Sequence, residues 1–401
     1  MPRWWRHALL AMLYLLPSSA LAAAAGSAFP IIPHTGGEIF GLSQSTQRHA
    51  GITGDWGGLR NRLEDQGITV AALYTGESER NYDPGLVKPK LETIYHDNLD
   101  LMLTVDTEKA GLWPGGTLFI YGLRNHGGQP SQNVIGDLQV ASNIEAPQQF
   151  IVEEAWYEQK LMHGKLSLLA GLRDVNNEFY ISDYGTLFIN SSFGIGPEIT
   201  TNVPTSTFPR AGWGARIRIK PSRHWYVQLA SFGGNPQRRT LAAHDGQMLI
   251  AEAGLILPKG RYKLGAWTHT ATHVYAGHSY AGDYGGYALI DQQLAAIGAT
   301  KIGAFVQYGW VPPGRNLVTR YLGLGLHILA LLPWRTKDIF GLGLAEATTH
   351  TGTENTIELT YRMPLTPWLV VQPSFQWIAN PGAVTGNHMV RVGILHFELS
   401  F

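Results

Sequence analysis

Apolar and polar residues alternate with a period of two along much of this chain. In Asn98–Asp106, Leu99, Leu101, Leu103 and Val105 fall on one face. In Trp213–Lys220, Trp213, Ala215, Ile217 and Ile219 are separated from Arg216, Arg218 and Lys220, and Ile357–Arg362 repeats the device. A strand sorts residues this way, whereas a helix would scatter the charges around its circumference. The runs are punctuated by Trp113-Pro114-Gly115-Gly116, Leu257-Pro258-Lys259-Gly260, Val311-Pro312-Pro313-Gly314 and Asn380-Pro381-Gly382, which read as turns and loops. Three connections are expected to be long: Gly76–Asp97, Asn125–Phe150 and Asp174–Pro209. Short turns on one rim and long loops on the other characterise outer-membrane barrels.

One stretch breaks the period. Gly54–Gly67 carries Leu59 and Leu63 at i, i+4 among mixed charges, with glycine at either end. It reads as a two-turn helix that stops at Gly67 and leads into the run Ile68–Tyr74. The chain closes on Ile394–Phe401, an alternating segment ending in phenylalanine. A terminal aromatic strand is the feature by which barrel-assembly machinery recognises its substrates.

Composition narrows the class. Charged residues make up only 15% of the chain, against about 25% in ordinary globular proteins. There are 47 Gly, 12 Trp and 17 Tyr, and Trp and Tyr favour the membrane–water interface. No segment after the N-terminus can cross a bilayer as a helix. Tyr321–Trp334, the best candidate, is short, interrupted by Gly323, Gly325 and His327, and contains Pro333. A chain apolar enough for lipid but lacking a spanning helix is left with the closed β-barrel, here with an even number of strands near about sixteen. With no cysteine there is no disulfide framework and no thiolate metal site, and the formal net charge of 0 offers no basic field for nucleic acid.

The N-terminus reads as an export signal. Arg3, Arg6 and His7 form a basic region, Ala8–Leu16 an apolar one, and Ala20-Leu21-Ala22 a cleavage site. The expected organisation is a signal peptide over 1–22, a periplasmic segment with the short helix over 23–66, and a transmembrane antiparallel barrel over 67–401.

Thr53-Gly54-Asp55-Trp56-Gly57-Gly58-Leu59-Arg60, with Leu63-Glu64-Asp65 and Gly67-Ile68, resembles the opening signature of the carbohydrate-selective porin family (OprB type). The resemblance continues in order through Gly136–Gln139, Ser142–Ala146, Ala155–Gln159, Gly171–Asp174, Asn177–Phe179 and Leu187–Pro197. It resumes in Tyr262–Trp267, Asp291–Leu294, Gln307–Gly309 and Gln372–Gly382. It implies a sixteen-stranded outer-membrane barrel through which neutral sugars such as glucose diffuse down their gradient, usually as a homotrimer. The expected partners are therefore small sugars, outer-membrane lipid and lipopolysaccharide, and the barrel-assembly machinery, with no cofactor.

A sugar in a constriction must exchange water for other hydrogen bonds, which arginine–carboxylate pairs and aromatic faces can supply. Alternation nominates Arg216 and Arg218, with Lys220, as a basic ladder on one lumenal face. Arg173 and Arg124 are further lumenal candidates, and Asp100, Glu252 and Glu358 are the acidic ones. Each could equally be a charge that merely solvates a wet wall. Glu153-Glu154 must point to opposite faces of a regular strand, placing one at a rim or against a neighbouring barrel. The Asp174–Pro209 segment, with Tyr180, Tyr184, Phe188 and Phe193, is either an inward-folding constriction or a surface loop or trimer latch.

Other readings are a general or polymer-export barrel, or a barrel enzyme. Gly277-His278-Ser279-Tyr280-Ala281 approaches a nucleophile elbow but ends on Ala281 rather than glycine. His269 and His273 stand four apart in a region read as strand and turn, where that spacing brings no two ligands together.

Overall fold

The computed structural model describes residues 51–386 and 388–401; the expected signal peptide, 1–22, and the first part of the expected periplasmic segment fall outside them. Sixteen antiparallel strands close into a single barrel. The first eight are β1 (Ile68–Asn81), β2 (Thr93–Asp106), β3 (Gly116–Gly127), β4 (Gln149–Leu161), β5 (Leu166–Arg173), β6 (Gly212–Ser222), β7 (Trp225–Gly233) and β8 (Gln247–Leu257). The rest are β9 (Gly260–Tyr275), β10 (His278–Ile297), β11 (Thr300–Trp310), β12 (Val318–Leu329), β13 (Ile339–Thr349), β14 (Thr353–Thr366), β15 (Leu369–Ala379) and β16 (Met389–Ser400). Each strand pairs with its neighbours in sequence, and β1 closes on β16 with Leu73 opposite Ser400 and Asn81 opposite Val392.

The period-two pattern sorts the two faces. Leu101, Leu103, Ile217 and Ile219 are exposed on the outer surface, while Asp100, Met102 and Arg216 are buried inside. Two of the expected loops are shorter than the polarity pattern suggested. β1 runs to Asn81 and β2 starts at Thr93, with Glu77 opposite His96 and Arg80 opposite Thr93. Likewise only 128–148 separates β3 from β4. Loss of apolar alternation marks where a strand leaves lipid, not where its backbone stops pairing.

The short helix α1 (Leu59–Asp65) precedes the barrel. It ends at Gly67, whose φ of 78° and close approach to Asp106 exclude a side chain: an added Cβ would lie 2.6 Å from the Asp106 carbonyl oxygen. Arg60 reaches from α1 to the end of β16, donating from Nη2 to the Phe401 carbonyl oxygen at 2.6 Å and from Nη1 to the Gly54 carbonyl at 2.9 Å. Its guanidinium also lies 4.6 Å from the Trp56 ring centroid.

The glycine content has a local cause. In Gly323-Leu324-Gly325-Leu326 and Gly341-Leu342-Gly343-Leu344 the glycines face inward and the leucines outward. A Cβ on Gly343 would come within 2.8 Å of both Phe188 and Phe193, and one on Gly325 within 2.7 Å of Phe305. This wall is hollowed to seat aromatic side chains.

Candidate functional site

The hollow is filled by the 174–211 connection. Having left β5 it enters the barrel, and it is held there by inward-facing groups of many strands. Gln228 on β7 donates to the Glu178 carbonyl, Gln307 on β11 to that of Phe193, and Gln372 on β15 to that of Leu187. Asn202 exchanges hydrogen bonds with the backbone of Val318 on β12. Phe188, Phe193 and Phe305 form one aromatic cluster, and Tyr180 lies 4.5 Å from Tyr287, centroid to centroid. Of the two readings left open for this segment, the inward fold is the one observed.

Carboxylates on the wall hold the path of this connection by accepting hydrogen bonds from its backbone. Glu252 accepts from Tyr180 N–H, Asp291 from Asp183 and Tyr184 N–H, and Glu358 from Ile189 and Asn190 N–H. The same device holds a second insertion, 128–148: Glu354 accepts from Leu138 and Gln139 N–H. The two insertions meet where Asn143 N–H donates to the Ile189 carbonyl and Ser191 N–H to that of Val140. A carboxyl group that accepts from successive amides fixes the direction of the backbone as well as its place.

Three of the nominated arginines converge on one carboxylate of the inserted segment. Glu178 accepts from Arg173 at 2.7 and 3.0 Å, from Arg216 at 3.2 Å and from Arg218 at 2.7 Å. Arg173 also donates to Glu154 at 2.6 Å and lies 4.9 Å from the Trp156 ring. Arg216 is completed by Glu158 at 2.9 Å. Glu178 lies on the connection rather than on a strand. Burial raises its pKa, but Arg173, Arg218 and Arg216 outweigh that and lower it to about 2. Arg218 continues to Gln228, and Gln228 to Glu252, which also accepts from the Tyr226 and Tyr287 hydroxyls.

Arg173, Arg216 and Glu252 are thus buried as braces, and the Arg218 side chain retains 11% exposure. Asp100 is elsewhere, buried beneath Tyr121, whose hydroxyl donates to it at 2.7 Å.

Two expectations are corrected. Arg124 lies on the outer face, its side chain 47% exposed and 3.6 Å from Asp97. Phe119, Tyr121 and Leu123 turn inward instead, packing with Trp156 and Phe208 of the inserted segment. On that side the inward face packs against protein, and the outward face carries Leu118 and Ile120 before it reaches Arg124. Glu153 and Glu154 both point inward, because Tyr121 pairs with Glu154 while Gly122 pairs with Val152, leaving Glu153 as the extra residue of a β-bulge. Glu154 takes Arg173, and Glu153 accepts from Ala211 N–H at 2.6 Å and from Arg239 at 3.2 Å. Together they hold both ends of the inserted segment.

Sequence reasoning passed over the paired charges that stay partly exposed inside the barrel. Arg362 donates to both oxygens of Glu398 at 2.6 and 2.7 Å, and Arg261 pairs with Asp183 at 2.9 Å. The alternation that nominated Arg216 also marks Arg362 and Glu398, which lie in phase with Glu358 and His396 on their strands.

The pattern of the family described as "Carbohydrate-selective porin, OprB family" is matched by residues 92–401. The Thr53–Ile68 signature lies before the matched residues. Porin B of Pseudomonas aeruginosa is 24% identical over 405 aligned positions, covering 83% of this chain and 87% of that one. The high-pH structure of Pseudomonas putida OprB covers 89% of this chain and 99% of its own, with a TM-score of 0.81 at 22% identity. The low-pH structure of the same protein gives 0.61 at 22% identity, covering 89% and 100%.

Proposed function

This chain belongs to the carbohydrate-selective porin (OprB) family, and from that premise we propose that it is an outer-membrane conduit through which monosaccharide-sized neutral sugars diffuse passively into the periplasm. The observation that carries the reading is the 174–211 segment, which enters the barrel and is braced there by three arginines on Glu178. Among the inward-facing charges that keep partial exposure, Arg218 is paired with Glu178, Arg261 with Asp183 and Arg362 with Glu398. Such pairs offer fixed donors and acceptors to sugar hydroxyls while presenting little net charge to a simple ion. Binding stays weak enough for exit because the pairs satisfy each other when no sugar is present. Passage follows the concentration gradient and requires no chemical step.

The short-turn rim, with α1 and Phe401, faces the periplasm in this reading, as in other outer-membrane barrels. Assembly as a homotrimer and insertion by the barrel-assembly machinery belong to the same proposal. Liposome swelling tests it. Glucose should enter faster than a neutral amino acid of similar size, and entry ranked by size alone would remove the selectivity.

A further inference from the structure

A second feature of the lumen is not explained by sugar passage. Glu77 and Glu79 alternate on β1, so both project inward, and His96 stands directly opposite Glu77 on β2. One ligand-type atom from each of the three lies within 4.8 Å of the others, and all three side chains are buried. Donors bonded to one ion at about 2.0–2.2 Å stand no more than about 4.4 Å apart, so a small side-chain adjustment brings these three around a single ion.

Glu79 supplies the independent observation. It is 1% exposed, and neither of its oxygens has a hydrogen-bond partner. Of the other carboxylates with buried oxygens, Asp137 also lacks a partner for either oxygen, whereas several on the wall are fully bonded. Glu252, Glu354 and Glu358 are buried and fully engaged by amides or hydroxyls, and Glu77 accepts from or pairs with His396 at 2.7 Å and His96 at 3.1 Å. The carboxylates of Glu145, Asp137 and Glu77 act on Glu79, and no hydrogen-bond donor among the described residues engages it. The Nδ1 of His96 is also without a partner. A buried carboxylate among carboxylates calls for a positive charge or a proton.

We propose that Glu77, Glu79 and His96 bind a divalent cation of the borderline class, Zn2+ or a first-row neighbour, beneath the 128–148 insertion. An imidazole nitrogen with two carboxylates suits such ions, whereas Ca2+ and Mg2+ take oxygen ligands. His396 fixes the orientation of Glu77 from behind. Ser142 of the insertion hydrogen-bonds to His96 at 3.2 Å, and Pro130, Val134 and Ile135 of the same insertion line the gap beside Glu79. The ion thereby fastens the insertion to β1 and β2. The proposal stands whether or not the pore selects sugars.

The test uses tag-free, chelator-treated protein in detergent micelles, titrated calorimetrically with ZnCl2 and separately with CaCl2, with anomalous diffraction at the zinc edge. One saturable Zn2+ per chain is expected, with the anomalous peak between Glu77, Glu79 and His96. Glu79→Gln and His96→Asn should each weaken it by about tenfold or more, with folding verified by circular dichroism. Glu79→Gln removes the unmatched buried charge and so keeps the test open if His96→Asn fails to fold. No saturable binding, a peak at other histidines, or unchanged affinity in Glu79→Gln would overturn the site. Ca2+ binding of equal stoichiometry that survives His96→Asn would overturn its chemistry.

Discussion

The guanidinium of Arg60 donates to the backbone carbonyl oxygen of Phe401, 341 positions later in the chain, at 2.6 Å. The contact bolts α1 onto the seam where β1 meets β16, and Phe401 N–H in turn donates to the Ala72 carbonyl at 2.9 Å. A hydrogen bond from a charged donor contributes about 1.5–3 kcal/mol. Arg60→Ala should therefore lower the temperature at which the folded band converts to the unfolded one on detergent gels. Deleting Phe401 should produce a similar loss, and the double variant should lose less than the two added together, because both remove one contact.

Glu178 is the common acceptor of Arg173, Arg216 and Arg218. Glu178→Ala leaves buried guanidiniums undercompensated, at a cost of about 3–5 kcal/mol. Much of that strain can be relieved by letting the 174–211 segment leave its seat while the strands stay paired. Single-channel conductance should rise and the preference for sugar over a size-matched amino acid should fall. Unchanged conductance would mean that Glu178 does not hold the constriction.

The same carboxylate sets an acid limit. Its pKa in the folded protein is lowered to about 2 from an ordinary 4.5. A lowered carboxylate stabilises the fold fully above its ordinary value and loses that contribution as pH falls through the folded one. Glu178 therefore adds nothing to pH dependence above about pH 5 and should release the brace between about 4.5 and 2. Conductance recorded across that window should step upward in the native protein, and the part of the step due to Glu178 should be missing in Glu178→Gln.

Gly343 seats Phe188 and Phe193, each within 2.8 Å of where a Cβ would be. Gly343→Val should therefore expel the aromatic cluster from the wall while leaving the β12–β13 ladder paired, since valine suits a strand. The expected outcome is a folded barrel on unheated gels with a wider pore in swelling assays that use larger maltodextrins.

Arg216 and Arg218 should separate by phenotype although they lie two residues apart. Arg216 is sealed between Glu158 and Glu178, whereas Arg218 retains exposure. Arg218→Ala should reduce the sugar preference severalfold with little change in thermal mobility shift. Arg216→Ala should lower the shift temperature as well, as expected for a broken buried pair.

The barrel was legible in the sequence because strand period is local: Trp213–Lys220 declares its two faces without reference to any neighbour. The ladder Arg216–Arg218 was found on that basis. Arg124 was misplaced for a related reason. Arg124 alternates with Phe119, Tyr121 and Leu123 along β3, but which of the two faces turns inward depends on Phe208, about ninety residues away and folded against them. The Glu153–Glu154 bulge was invisible because it is a property of pairing with Tyr121 and Gly122, not of β4 alone. The 128–148 insertion gave no signal of entering the barrel, since its anchors Glu354 and Gln376 lie more than two hundred residues downstream.

Glu252, Glu358 and Glu354 grip main-chain amides of the inserted segments rather than their side chains. An amide is offered by every residue except proline, so these grips do not read what the inserted segments carry. Side chains such as Tyr184 and Thr186 can be exchanged while the track beneath them stays in place. The barrel thus separates holding from choosing: a lineage, or an engineer, can retune which solute passes by rewriting a few inserted residues without redesigning the wall.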